Sequence, residues 1–256
     1  MFNLKRKLLY SSFAEQCVVK LKLLLDKLHA TYDLDGYEDW FYDDSTGLLT
    51  LSKGDKEINF KYFHVGSFSE KSNTWMWAWN KDHKSESAKK QSDVVKQFGE
   101  QKGFDKLVSG HFKSNEIEAW ELAAISLTIS GGIGVYRPFN DDGLKIFLVL
   151  TEFVDKETAQ KIKDKYISCT IHGSGRIAFV CNHLSKETKV GFEEAFDTFQ
   201  GMELDEDDDL QAWCDKCEVV RQKENGWNDT SMAFAQIKLV CEECYFEMKE
   251  INLGYR

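Results

Sequence analysis

Proline is nearly absent. Pro138 is the only one in 256 residues, so no proline-rich linker marks a domain boundary. Long apolar runs are missing as well. No stretch is long and apolar enough to span a membrane, and behind the basic start Lys5-Arg6-Lys7 the apolar run is broken by Ser11, Ser12 and Glu15, with no signal-peptide core or cleavage site. The expectation is a cytoplasmic protein with no membrane association. Positive charge is also scarce: 33 Lys plus Arg stand against 43 Asp plus Glu, for a net charge of −10. The excess is uneven, since residues 154–256 hold 13 basic and 21 acidic side chains and so carry −8, leaving −2 for the first 153. Such a surface repels phosphate backbones and argues against nucleic acid as a partner. It suits a basic protein partner instead.

Catalytic signatures are lacking too. His64, His83 and His111 lie in the first part with Glu116 and Glu118, but no pair has HExxH spacing and no Ser or Cys sits in a nucleophile elbow. The glycines of Ser130-Gly131-Gly132-Ile133-Gly134 follow a helical pattern and precede a strand, the reverse of a dinucleotide-binding turn, so they read as a helix stop. Between Glu203 and Asp209 six of seven residues are acidic, and Asp205, Asp207 and Asp209 alternate. A calcium loop would need glycine next and glutamate at its twelfth position, where this chain has Leu210 and Lys216. The run therefore reads as a solvated loop, and Asp205, Asp207, Asp208 and Asp209 become candidates for a partner surface.

What is present is a foldable composition, 42% hydrophobic and 13% aromatic. Ser12-Phe13-Ala14-Glu15 has a capping-box pattern, and Phe13, Cys17, Leu21, Leu24, Leu25 and Leu28 follow at helical spacing, predicting an amphipathic helix over 12–31. Strand-like runs at 39–42 with 48–52, 57–68 and 74–80 are joined by short polar turns, which predicts an antiparallel meander. Helical patterns follow at 85–101 and 115–129. Two strands at 133–139 and 144–153 then flank the turn Asn140-Asp141-Asp142-Gly143. Beyond a bridging helix at 155–165 come a strand-like stretch over 166–181, helices at 191–199, 215–223 and from 228 into 239, and a last helix from 244 to 251. The fold class is α+β: residues 1–153 form an antiparallel sheet with packed helices, and residues 154–256 a smaller acidic, zinc-ribbon-like α+β domain.

The most specific chemistry lies in Cys214-Asp-Lys-Cys217 and Cys241-Glu-Glu-Cys244, two CxxC knuckles separated by 23 residues. Each such turn brings two sulfurs within reach of one ion, and two turns complete the closed tetrahedron of a structural zinc site. Paired thiols in a reducing compartment favour metal over disulfides. Cys181-Asn182-His183 adds two further donors, so six are available where zinc takes four. Either the knuckles hold the ion alone, which is the simpler arrangement, or Cys181 or His183 replaces a knuckle member or builds a second site. Cys17 reads as a buried small hydrophobe; Cys169 is left over, and Cys181 with His183 or His172 as base is a weaker nucleophile reading.

Trp75-Met76-Trp77-Ala78-Trp79 alternates with period two, which puts three indoles on one strand face as core or as a binding platform. With Asn80, this segment resembles an uncharacterised bacterial domain family marked by a WxWAW-Asn signature and found among candidate toxin-immunity proteins; the resemblance spans about residues 10–153. The second part resembles a bacterial zinc-ribbon-like module of unknown role through Cys181-Asn182-His183-Leu184, Gly191-Phe192, Ala212 to Glu218, Gly226 to Asp229 and Ile237 to Tyr245. Neither resemblance implies a catalytic residue. The resulting expectation is a non-enzymatic, metal-binding protein that neutralises a cognate toxin by masking its active surface, with structural Zn²⁺ as its cofactor. The alternative is an enzyme or small-molecule sensor whose aromatic pocket is lined by the Trp strand, with His64 or His111 supplying polarity.

Overall fold

The computed structural model describes residues 9–81, 86–202, 204–205 and 208–254. His83 and Asp207 lie outside these residues. The chain divides into two compact units, Met1–Ala159 and Gln160–Arg256.

The first unit opens with helix α1 (Tyr10–Tyr32), whose buried residues Ala14, Cys17, Leu21 and Leu28 follow the predicted stripe. The antiparallel strands β1 (Asp39–Asp43), β2 (Leu48–Lys53), β3 (Lys56–Ser69) and β4 (Thr74–Trp77) come next and pair in sequence order, as a meander does. Helices α2 (Glu86–Lys102) and α3 (Asp105–Val108) lead to β5 (His111–Lys113), which pairs with β4. Helix α4 (Glu116–Ser130) is buried around most of its circumference from Ala119 to Leu127 and stops at Gly131, whose φ of +76° is the left-handed cap expected of glycine. Strands β6 (Gly134–Tyr136) and β7 (Leu144–Val154) complete a seven-stranded sheet.

Strand β3 is its axis, pairing with β2 through its first half, with β4 through its second and with β7 along most of its length. Alternate residues of β7 feed two clusters. Phe147 and Val149 pack with α1 and α4 residues, while Leu148 and Leu150 join Leu49, Leu51, Phe60 and Tyr62, closed by Leu28 and Tyr32.

The boundary between the units falls within helix α5 (Lys156–Asp164), and the second unit continues from Gln160. Hairpin β8 (Tyr166–Cys169) and β9 (Gly173–Val180) turns at Thr170–His172, ahead of the glycines expected to interrupt it. Strand β9 is central. On one side β11 (Leu210–Trp213) pairs with it in parallel and carries the two-residue β10 (Glu193–Glu194); on the other β12 (Lys238–Cys241) pairs antiparallel. Helices α6 (Asp215–Lys223), α7 (Asp229–Ala235) and α8 (Glu242–Leu253) fill the remainder.

Two expected helices are corrected here. Residues 191–199 hold β10 and irregular chain, because Gly191 has φ +82° and Glu194 is drawn into a network where it accepts from Lys249 Nζ at 2.6 and 2.8 Å and from Tyr245 Oη at 2.9 Å. A side chain at Gly191 would also collide with the Asp215 carboxylate, 1.7 Å from its ideal Cβ. Helix α7 likewise ends at Ala235 with Gln236 left-handed, and the chain re-enters the sheet as β12.

Candidate metal centres

The direction of the strands around β9 decides where the knuckles lie. Cys214 caps α6 at the end of β11, which runs with β9; Cys241 caps α8 at the end of β12, which runs against it. The two CxxC turns therefore leave the sheet in opposite directions along one strand. Cys241 faces Ile177, whereas Cys214 lies two residues past Ala212, which faces Val180. At about 3.3 Å per residue the knuckles are on the order of 15 Å apart along β9. A single tetrahedron of Cys214, Cys217, Cys241 and Cys244 is not assembled.

Each knuckle is completed by residues at its own end of β9. Cys169 and His172, on the hairpin that enters β9, join Cys241 and Cys244; Cys181 and His183, just past its exit, join Cys214 and Cys217. Within each group the donor atoms all lie within 4.8 Å of one another, close enough to hold a metal ion. In the first group Cys169 Sγ is 3.8 Å from both Cys244 Sγ and His172 Nδ1, and His172 Nδ1 is 3.4 Å from Cys241 Sγ and from Cys244 Sγ. In the second, His183 Nδ1 is 3.3 Å from Cys217 Sγ. A regular tetrahedron with about 2.3 Å bonds to sulfur and 2.0 Å to nitrogen has edges of about 3.8 Å between sulfurs and 3.5 Å between sulfur and nitrogen. The observed separations fit a four-coordinate mononuclear ion.

Three of the thiols need such an ion to be anionic. Burial pushes Cys181 and Cys217 up, and Cys241 up to about 12. Cys169 goes the other way, to about 6, because the backbone N–H groups of His172 and Ile171 point at its sulfur. In each knuckle the leading cysteine is a helix N-cap and the second lies in the first turn. The Cys214 N–H also donates to Cys181 Sγ at 3.3 Å.

The surroundings are well built. Glu218 accepts from Trp213 Nε1 at 2.6 Å and from Arg221 at 2.8 Å, and Trp213 packs edge-on against Trp227 with centroids 5.2 Å apart. Phe192 meets Tyr245 at 5.3 Å. Cys181, Cys214 and Cys217 are members of the same buried cluster as Val180, Leu184 and Leu210, so that centre is part of the core.

Cys169 and His172 were missed as ligands. A signal was available: Cys169-x-x-His172 has knuckle spacing in a hairpin turn, and with Cys181 and His183 it raises the donor count to eight, two sets of four.

The other candidates fare differently. Trp75 and Trp77 are 0% exposed, edge-to-face at 5.2 Å, with Trp75 also against Phe147 and Trp77 Nε1 donating to the Lys106 carbonyl at 3.0 Å. Trp79 is partly buried against the same core, in a 3-10 turn past the end of β4. The Trp strand is thus interior and is corrected as a partner or ligand surface: alternation on β4 sends its indoles under the helices.

Among the described residues, neither of two cavities joins the indoles to a histidine. Met76 and His111 line a cavity of about 230 Å³ that includes none of the indoles. His64 is buried with its Nε2 2.7 Å from Asp44. A second cavity of about 510 Å³, lined by Thr46, Lys61, Gln91, Ser130 and Thr151 among others, also lacks the indoles. Of the acidic loop, Asp205 and Asp209 are exposed, while Asp208 is half-buried and accepts from the Asp205 N–H at 3.0 Å; Arg176 ties the loop down through the carbonyls of Asp205 and Asp208. No helix among the described residues is long and apolar enough to cross a membrane.

A model described as "Family of unknown function (DUF6882)" matches residues 11–153. Both metal-competent clusters lie C-terminal to that span. No curated protein matches the chain, and no solved structure does.

Proposed function

Since the chain belongs to DUF6882, a family of unknown function, its role has to be read from its own residues, and we propose that it is a non-enzymatic binding protein whose second unit is held together by two structural zinc ions. One observation carries this reading: each cluster offers four protein donors, three sulfurs and one imidazole. A closed Cys₃His shell is the pattern of structural zinc, because catalysis needs a position left open for water or substrate. All-sulfur-and-imidazole donors also disfavour magnesium, calcium and manganese. Zinc here would lock the ends of β9 to α6 and α8, and would supply folding energy rather than chemistry.

The partner is a basic protein, and the role that of an immunity protein masking a toxin. Support comes from the −8 charge of residues 154–256 and from the exposed carboxylates of Asp205 and Asp209 on a loop pinned by Arg176. Each Cys₃His centre with Zn²⁺ adds about one more negative charge. Complementary charge would speed encounter with a cationic surface.

The test is co-expression of the full chain with products of adjacent genes, scored for growth protection and for a purified complex. A salt-sensitive complex with a basic product is expected. Absence of binding and protection for every adjacent product would remove the immunity role while leaving the zinc assignment to metal analysis.

A further inference from the structure

The two centres share a donor set but not their surroundings. At the first, His172 is 20% exposed and its Nε2 lies 3.2 Å from Glu247 Oε1, while the other oxygen of Glu247 is ion-paired with Lys186. That chain fixes the ring and places the hydrogen on Nε2, leaving Nδ1 to face Cys241 and Cys244 with a lone pair. At the second, His183 is exposed. Its ring packs against Phe234 at 5.3 Å, and among the described residues no carboxylate or carbonyl holds its outer nitrogen.

Resting on the two-zinc reading above, we propose that the ions are held unequally: Glu247 with Lys186 is a positioning pair that makes the His172 centre permanent, and His183 is the ligand through which the other centre exchanges its ion. An exposed imidazole whose polar tether is its metal-facing nitrogen alone, with one ring face on Phe234, can rotate away and admit water or a competing chelator. The remaining three thiolates of Cys181, Cys214 and Cys217 then surrender the ion in steps. The same rotation at His172 must first break the contact with Glu247, whose own orientation is set by Lys186. Outer-shell partners of this kind change metal affinity by about 10–100-fold when removed.

The experiment uses the full chain loaded with two equivalents of zinc, mixed with excess chelator, with release followed by a chromogenic zinc dye. Two phases of equal amplitude are expected, separated in rate by about tenfold or more. Glu247→Gln should speed the slow phase by about 10–100-fold and leave the fast one unchanged, with Glu247→Asp restoring part of the difference. Lys186→Gln should act in the same direction and serves if Glu247→Gln does not fold. His183→Ala should retain one slowly released ion. The inference is overturned if both ions leave in one phase, if neither Glu247→Gln nor Lys186→Gln changes the slow rate, or if His183→Ala removes the slow ion. A chain that takes up fewer than two zinc ions at the outset sinks the two-ion reading itself.

Discussion

Replacing single cysteines by serine separates two shared centres from one four-thiolate site. Cys169 and Cys181 belong to no CxxC pair, so a tetrahedron built from the two knuckles alone would keep its ion in Cys169→Ser and in Cys181→Ser. The structure places Cys169 3.8 Å from Cys244, and Cys181 in one group with Cys214 and Cys217. Each substitution should therefore remove one of two zinc ions, and so should Cys214→Ser.

The energetic effect should be large. Structural zinc contributes an apparent 10–16 kcal/mol or about that in small zinc-binding modules near neutral pH, while a whole domain is stable by only about 5–15 kcal/mol. Loss of one ion thus removes an amount comparable to the net stability of the second unit. At the Cys181 centre the effect reaches the core directly, since three of its ligands are buried cluster members. The first unit holds neither cluster, and its transition should stay in place. Metal content by mass spectrometry and hydrogen exchange across both units would report the two effects together. One zinc per wild-type chain, retained in both Cys169→Ser and Cys181→Ser, would refute the shared-strand geometry.

Three further outcomes follow from the packing and charges. Gly66→Ala should destabilise the first unit by about 1–3 kcal/mol in denaturant titrations, because an added Cβ would sit 2.5 Å from the Met76 carbonyl and from the Trp75 ring. Glu116 is held below the usual carboxylate range by its hydrogen bond to Lys145 and by Arg137; the folded unit then binds fewer protons than the unfolded chain, so this contribution is present above the ordinary carboxylate pKa and is lost as pH falls through the lowered value. Unfolding curves of Glu116→Gln should depend less on pH in that acid window, and an unchanged dependence would count against the pairing. Asp205→Asn with Asp209→Asn should slow association with a basic partner while leaving the melting temperature within error, whereas Asp208→Asn should weaken the loop's internal hydrogen bond to Asp205; stopped-flow association and calorimetry distinguish the two effects.

Much of this was legible in the chain. Periodicity located α1 and α2 within a few residues, because each buries one face and so shows its period, whereas α4 and β3 are buried on most sides and stood out as apolar runs between turn signals. Helix α6 also fell where expected. Residues 191–199 misled for an identifiable reason: Glu193-Glu194-Ala195-Phe196 has helical composition, but the left-handed Gly191 and the Glu194–Lys249–Tyr245 network are tertiary. Trp75 and Trp77 share a face as their spacing requires. Spacing could not reveal that helices cover that face.

The knuckles show the same limit at the site itself. A CxxC pair fixes the local geometry of two sulfurs, and both turns here have it, each at a strand-to-helix junction. Which sulfurs share an ion depends instead on the relative direction of β11 and β12, and no local motif encodes strand direction. Because the strands run oppositely beside β9, neither knuckle can complete the other, and each needs two donors from the ends of β9 itself. Cys169, His172, Cys181 and His183 stand at those ends. The spacing of the outer ligands thus follows from β9's length: the strand has to be long enough to keep two tetrahedra apart, and its eight residues from Gly173 to Val180 separate the two pairs of donors that it carries.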